Sequence, residues 1–243
     1  TLSEHSMALD ELRSNVSDLT GAVDSLLTAA AFESDGTGDE LVAPEGGVLA
    51  WNFSLREGVY GGEMSSSSKG LVYFTSNDGC AYALSTLDGS LVWVHNSSTI
   101  EMIGVTILSK DESTLFISMS GSAANPKKVV ALNATTGALI WAVDVANEVT
   151  ASDMGLSPDS SKLYVGVKTT VLQLNASDGA TLFSAEEFEH SAYSIAVSPC
   201  GRVYYCKFGA VGAFTESGED LYFEGITGLN SRPIRLSSDG LTL

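Results

Sequence analysis

The sequence predicts an all-β chain, a β-propeller of four-stranded blades, because one short unit recurs every forty-odd residues. The unit reads small–x–polar–x–x–polar–Gly–x–x–x–aromatic. Its clearest copies span residues 83–93, 131–141 and 173–183, with a looser copy at 213–223 and a half copy at 47–51. A period of about 40 to 50 residues with several short strands per unit is typical of propeller blades.

The aromatic residue that ends each copy is predicted to pack between neighbouring blades, because one four-stranded sheet cannot cover both of its faces. These residues are Trp51, Trp93, Trp141, Phe183 and Phe223, separated by 42, 48, 42 and 40 residues. We expect them in equivalent strand positions. The strand that carries the aromatic is expected to open each blade, and the strand that ends at the Asn/Asp-Gly turn is expected to lie outermost.

A second signal lies between the aromatics and reads apolar–x–Leu–Ser–x–Asp–x–x–x–Leu–aromatic. Its copies span residues 107–116, 155–164 and 196–204, and a last copy spans 235–243. Pro presets φ in such turns, and Asp and Gly accept turn geometry. The flanking runs alternate apolar and polar residues, so they are predicted to be strands joined by hairpins.

These copies resemble the PQQ-like, or quinoprotein-like, β-propeller repeat, whose signature is Ala-x-Asp-Ala-x-Thr-Gly-x-x-x-Trp. Residues 131–141 match it at every position except Asn133, which replaces Asp. The Leu-Ser-Pro-Asp turns are similar to those of YVTN-type propellers. The resemblance implies a ring of seven or eight blades, of which about four and a half are visible in residues 47–243. The chain is then part of a longer propeller, or else a small ring closed by its N-terminal segment.

The N-terminal residues 1–32 differ in kind and are predicted to form an amphipathic helix. Its apolar side chains follow a heptad stripe: Leu9, Leu12, Val16, Leu19, Val23 and Leu26. Such a stripe is expected either to form a two-stranded coiled coil or to dock on a propeller or another subunit. Residues 33–46 are acidic and rich in Gly and are predicted to be a flexible linker to the blades, residues 47–243.

The charge balance excludes several classes of partner. Twelve Lys and Arg stand against thirty Asp and Glu, for a net charge of −18. Such a surface repels phosphate backbones, so nucleic acid is not expected as a partner. No run of about 18 apolar residues is present, so no membrane span is predicted. The expected partners are other protein subunits, bound by the N-terminal helix and blade surfaces, including further copies in an oligomer or filament.

Asparagine and cysteine usage bears on the compartment. Five of the nine Asn residues lie in Asn-x-Ser/Thr sequons and are predicted N-glycosylation sites: Asn15, Asn52, Asn96, Asn133 and Asn175. They favour a secreted protein or one in the lumen of the secretory pathway. The three cysteines, Cys80, Cys200 and Cys206, either bond to a partner elsewhere or are free thiols.

The sequence contains no recognisable set of catalytic, cofactor-binding or metal-binding residues, so no enzyme activity and no cofactor are predicted. We expect a glycosylated structural and protein-interaction module of an extracellular assembly, such as a filament or appendage. Two alternatives remain open at this point. One is part of a quinoprotein-type dehydrogenase, and the other is a luminal assembly factor that binds extended peptides at an open sheet edge.

Overall fold

The computed structural model describes residues 51–55, 64–96, 104–119, 127–146, 153–167, 170–184, 192–207, 210–225 and 234–237. The chain divides into two compact units, Thr1–Arg56 and Glu57–Leu243. In the first unit the described residues, 51–55, form neither helix nor strand. The predicted N-terminal helix and linker lie outside the described residues.

In the second unit, the described residues form four antiparallel sheets of four strands each, which we call blades 1 to 4. Blade 1 contains β1 (Ser65–Ser66), β2 (Leu71–Thr75), β3 (Cys80–Ser85) and β4 (Leu91–Asn96). Blade 2 contains β5 (Thr106–Leu108), β6 (Thr114–Met119), β7 (Lys127–Asn133) and β8 (Leu139–Ala146).

Blades 3 and 4 repeat this plan. Blade 3 contains β9 (Met154–Leu156), β10 (Lys162–Val167), β11 (Thr170–Asn175) and β12 (Thr181–Ser184). Blade 4 contains β13 (Ala192–Val197), β14 (Val203–Lys207), β15 (Ala210–Phe214) and β16 (Asp220–Gly225). In every sheet the strands pair in chain order. The all-β fold and its four-stranded units are therefore confirmed.

The first strand of each blade lies innermost. Strand β5 contacts β1, β9 contacts β5 and β13 contacts β9, whereas the fourth strands make no such series of contacts. The aromatic of each sequence unit therefore lies on the last and outermost strand of its blade, as Trp141 does on β8. The expectation that this strand opens the blade was wrong, because the Ser-x-Asp turn connects the first two strands of a sheet and the Asn/Asp-Gly turn connects the last two.

The hydrophobic core is divided among the gaps between blades, because successive residues of a strand face opposite neighbours. On β6, Leu115 and Ile117 pack towards blade 1, whereas Phe116 packs towards blade 3. A third cluster joins blades 3 and 4 around Tyr164 and Phe214. Blades 2 and 3 are thus covered on both faces by neighbouring blades, and blades 1 and 4 are covered on the face that meets blade 2 or blade 3.

The outer-strand aromatics of blades 1, 2 and 3 are seated on the next blade. The indole Nε1–H of Trp93 donates to the Ala134 carbonyl in blade 2 at 2.9 Å. Trp141 makes the same bond to the Ala176 carbonyl in blade 3 at 3.0 Å. Both indoles are buried. Both rings therefore lie between neighbouring blades.

A glycine in the receiving turn makes room for each ring. A Cβ on Gly137 would lie 2.7 Å from the Trp93 ring, and one on Gly179 would lie 2.8 Å from the Trp141 ring. Gly218 stands in the same relation to Phe183, which is partly buried. All three glycines have positive φ. The Gly of the sequence signature thus serves both the turn and the contact between blades.

Two of the five predicted aromatics do not fit the expected pattern. Trp51 lies in residues 51–55, which form neither helix nor strand. In blade 4 the residue equivalent to Trp93 is Tyr222, which pairs with Ala213, whereas Phe223 is one position further along. The turn before β16 is one residue shorter than its counterparts, and this deletion shifts the aromatic.

Replacing Gly137 with Ala is expected to destabilise the fold more than replacing Gly70 with Ala. Both glycines have positive φ, so both changes cost about 1–2 kcal/mol of backbone strain. A Cβ on Gly70 meets only the Thr86 hydroxyl at 3.5 Å, whereas one on Gly137 overlaps the Trp93 ring. This overlap adds about 1–3 kcal/mol. Urea unfolding of both variants measures the difference, and equal losses would contradict the packing role.

Candidate functional site

The innermost strands line an open cavity of about 400 Å³ at the centre of the blades. Its walls come from β5, β9, β13 and the segment 234–236. Apolar side chains form much of the wall, and Lys110 and Arg235 add positive charge. Asp153 is the only carboxylate among the described residues that line it. In a chain of net charge −18, this lining is unusual and marks the cavity as a candidate site.

The hydrogen-bond alternation along the inner strands determines which backbone groups face the cavity. In an antiparallel ladder, alternate residues turn their N–H and C=O groups away from the neighbouring strand. On β9 the turn bond from Ser157 N–H to Lys162 O sets this alternation. On β13 the bond from Ser198 N–H to Arg202 O sets it in the same way. The amides of Met154, Leu156, Ile195 and Val197 therefore point away from the ladders, towards the centre.

Asp153 captures two of these inward amides, one from each strand. Its carboxylate accepts hydrogen bonds from Met154 N–H at 2.9 Å and from Ile195 N–H at 3.1 Å. It also accepts a bond from the Ser194 hydroxyl at 2.8 Å. The Ser194 Oγ in turn accepts a bond from Ile234 N–H at 3.0 Å. The carboxylate thus fastens β9 to β13, and Ser194 carries the connection on to segment 234–237.

Opposing effects act on the Asp153 carboxyl. Asp153 is 8% exposed, and this burial raises the pKa of its carboxyl above the ordinary value. The Ser194 hydroxyl and the amides of Ile195 and Met154 favour the ionised form and act in the opposite direction, but burial is the larger effect. The Arg235 guanidinium lies 3.9 Å away at the mouth of the cavity.

The corresponding contact between blades 1 and 2 uses different chemistry. There the Ser65 hydroxyl donates to the Thr106 carbonyl at 2.9 Å and lies 3.0 Å from the Thr106 hydroxyl. The position that Asp153 occupies in blade 3 is Val105 in blade 2, counted back from the equivalent serines Ser157 and Ser109. Among the described residues, the carboxylate connection is seen only between blades 3 and 4. The acid itself was visible in the sequence, but its partners, about forty residues away along the chain, were not.

The outer rim is a second feature of the blades. Each outer strand has a β-bulge at the residue before its aromatic. That residue has no partner on the third strand, whereas the residues on either side of it are paired. In three blades the extra residue is an exposed aliphatic: Val92 is 45% exposed, Ile140 is 49% and Leu182 is 52%. Their equivalent in blade 4 is Leu221. We call Val92, Ile140 and Leu182 the rim aliphatics. An aliphatic residue before each aromatic was visible in the sequence, but its exposure was not.

The predicted glycosylation sites occupy different environments. Asn52 and Asn96 are exposed. Asn133 and Asn175 end the third strands of their blades, not the outermost strands as expected, and both are half-buried. Their Oδ1 atoms accept backbone amides of the following turn, from Thr135 and Ser177 among others. The fifth sequon, at Asn15, lies outside the described residues.

The described residues also include the three cysteines of the chain. None of the three cysteines is in a disulfide; Cys80 and Cys206 are buried and Cys200 is exposed. Burial raises the pKa of the Cys206 thiol. The described residues contain no group of three or more His, Cys, Asp or Glu side chains placed to hold a metal ion. None of the described segments forms a helix of the length and apolarity needed to cross a membrane.

The helix residues predicted to form an interface, from Leu9 to Leu26, lie outside the described residues. The helix interface therefore stays a prediction from the sequence. The site features that it adds, the Asp153 connection and the exposure of the rim aliphatics, both depend on which strands become neighbours.

Replacing Asp153 with Asn is expected to remove a pH-dependent part of the stability. Because folding raises the Asp153 pKa, its contribution is fully present below the unfolded pKa of about 3.9 and is lost as the pH rises through the folded pKa. The free energy of unfolding of the wild type minus that of Asp153→Asn should therefore fall with rising pH. Urea unfolding at a series of pH values measures it.

The matched control is Asp159→Asn. Hydrogen bonds from Ser157 and Ser161 lower the pKa of Asp159, so its contribution is lost as the pH falls and the corresponding difference should rise with pH. Slopes of the same sign for the two variants would contradict the assignment of Asp153 as a carboxyl dominated by burial.

Comparisons with known proteins agree with this architecture. A family model described as outer membrane protein assembly factor BamB, of the PQQ-like repeat type, matches residues 125–204, from just before β7 into β14. No curated protein sequence matches the chain. The crystal structure of BamB from Moraxella catarrhalis is similar, with a TM-score of 0.57 and 15% sequence identity.

That similarity covers 79% of this chain and 57% of the Moraxella protein, so the chain corresponds to little more than half of that relative. In all, 1166 solved chains match this structure, and so widespread a scaffold does not specify an activity. The family match to residues 125–204 and the structural similarity together confirm the predicted resemblance to the PQQ-like β-propeller repeat.

Proposed function

We propose that this chain is a structural and protein-interaction module that joins other protein subunits in an extracellular or luminal assembly. The proposal assigns no catalytic chemistry to the described blades. It rests on one observation, the rim aliphatics, which repeat at the same bulge in successive outer strands and remain about half exposed.

The rim aliphatics favour protein over other partners. Outer strands have unpaired edges, and natural proteins usually protect such edges with charges, Pro or bulges. Here the bulge is present, but the residue at it is aliphatic in each blade. Exposed apolar residues that recur in one place are typical of surfaces that bind other proteins. The net charge of −18 disfavours nucleic acid, so burial of apolar surface is the proposed source of affinity.

The sequence supports two finer parts of the proposal. The five sequons favour a secreted or luminal, glycosylated protein. The heptad stripe of residues 9–26 suits a device that attaches the propeller to a neighbouring subunit or to a second copy. An isolated helix of that length is marginal without such packing. Both parts concern features that lie partly or wholly outside the described residues.

Replacing the rim aliphatics with Thr tests the main proposal. The triple variant Val92→Thr, Ile140→Thr, Leu182→Thr is expected to dissociate from the assembly while unfolding normally, because exposed substitutions usually change stability by less than about 0.5 kcal/mol. Sedimentation of protein isolated from cells that produce it measures the particle mass. We expect wild type in particles larger than the monomer and the triple variant as monomer.

Leu87→Thr is the matched control, since Leu87 is 87% exposed but lies in the turn between β3 and β4, away from the outer strands. It should sediment like wild type. If the triple variant also sediments like wild type, the rim is not the attachment surface and the proposal is wrong.

N-glycosylation is the second expected outcome. Intact mass of the native protein should fall on treatment with a glycosidase, with Asn133 and Asn175 among the modified residues. Their Oδ1 atoms are engaged in the turns, whereas a glycan attaches through Nδ2. Replacing each Asn with Asp keeps the Oδ1 atom that accepts the hydrogen bonds of the turn and removes the Nδ2 to which a glycan attaches. An unchanged mass would remove the support for a secretory location.

A further inference from the structure

We propose that the central cavity binds a carboxylate of an extended peptide, held by the backbone amides of Leu156 and Val197. This site is separate from the rim aliphatics and goes beyond the function proposed above. Asp153 already shows how these two inner strands hold a carboxylate.

Asp153 provides the internal precedent. Its carboxylate takes one inward amide from β9, that of Met154, and one from β13, that of Ile195. These two residues are equivalent in the two blades, since each lies three residues before the first Ser of its turn, Ser157 or Ser198. Two inner strands side by side therefore form a pair of donors spaced for one carboxylate.

The same pair recurs two residues further along. Leu156 and Val197 are again equivalent, and the alternation of the ladders directs their amides inward as it does those of Met154 and Ile195. Neither amide has an acceptor among the described residues. Both residues line the cavity. Two neighbouring donors therefore face a space of about 400 Å³.

The two strands remain in contact between the occupied and the vacant pair. A Cβ on Gly155 would lie 2.8 Å from the Val197 side chain and 2.9 Å from that of Ile195. Only a glycine at this position allows β13 to approach β9 so closely. This close approach keeps the two strands side by side from one pair of amides to the next.

Charge favours an anionic group in the cavity. Lys110 and Arg235 line it, against one acid among the described lining residues, Asp153, which is bound by three donors and lies 3.9 Å from Arg235. The backbone of Lys110 is anchored, since its N–H donates to the Ser160 hydroxyl at 2.9 Å. Hydrogen bonds and charges that converge on a carboxylate are stronger than neutral contacts.

The remaining lining favours a peptide as the source of the carboxylate. The walls are largely aliphatic, with Ile107, Leu108 and Leu236 among them, which suits the alternate side chains of an extended strand. The inward carbonyls of the inner strands can accept its amides, as in recognition by addition of a strand. A small free carboxylate would use the two amides but none of the aliphatic wall.

Two fluorescent peptides of alternating Val and Thr, identical except for a central Glu or Gln, test the proposal by anisotropy at low ionic strength. The Glu peptide is expected to bind about tenfold more tightly. This preference should vanish in the double variant Lys110→Ala, Arg235→Ala. It should persist in Lys128→Ala, which removes a cation paired with Asp144 on β7 and β8, outside the cavity.

Amide chemical shifts in the isotope-labelled wild type provide a readout that does not depend on any variant folding. The Glu peptide should shift the Leu156 and Val197 amides, and the Gln peptide should not. Equal affinity for the two peptides would overturn the proposal, as would shifts confined to other residues. If succinate shifts both amides while neither peptide binds, the peptide assignment is wrong. The triple Thr variant of the rim should bind the Glu peptide normally, so the two proposals fail separately.

Discussion

The seating of each outer-strand indole on the glycine turn of the next blade is the contact on which the rest of the structure depends. It combines three requirements in one place. The ring fills the gap between sheets, its N–H satisfies a turn carbonyl at 2.9–3.0 Å, and the turn must carry a residue without Cβ. A buried indole N–H without an acceptor would cost about 1–3 kcal/mol, so the bond fixes the position of the ring as well as adding to stability.

This contact also sets the direction of the assembly. Trp93 reaches from blade 1 to blade 2, Trp141 from blade 2 to blade 3, and Phe183 from blade 3 to blade 4. Between blades 1 and 2, the Nδ1–H of His95 also donates to the Gly137 carbonyl at 3.0 Å. Phe183 keeps the packing but has no N–H, and in its place Gln173 donates to the Glu216 carbonyl at 2.9 Å. The pair of blades without an indole thus retains a polar bond to the same turn.

Because the gaps between blades hold the core, the two ends of each sheet are left for other purposes. The inner strands turn alternate amides towards the centre, where Asp153 satisfies two and leaves the next two without an acceptor in the described part of the chain. The outer strands turn bulged aliphatics towards solvent. The proposed peptide site and the proposed rim surface therefore lie at opposite edges of the same sheets.

Much of the fold followed from the sequence. The period, the turn residues and the aromatic positions predicted a stack of four-stranded sheets, and the structure has that stack because each of these signals is local or nearly so. A Gly followed four residues later by a large aromatic marks one hairpin. A Ser, an intervening residue and an Asp mark another, and their alternation counts the sheets.

The tertiary structure decided which hairpins share a sheet. A repeating sequence does not show at which strand one sheet ends and the next begins. It placed the aromatic on the outer strand instead of the first, moved the blade 4 equivalent from Phe223 to Tyr222 through a shorter turn, and left Trp51 outside the strands. It also decided the chemistry of the site. Asp153 gains its role from Ser194 and Ile195, which are about forty residues away along the chain and become its neighbours only when the inner strands stand side by side.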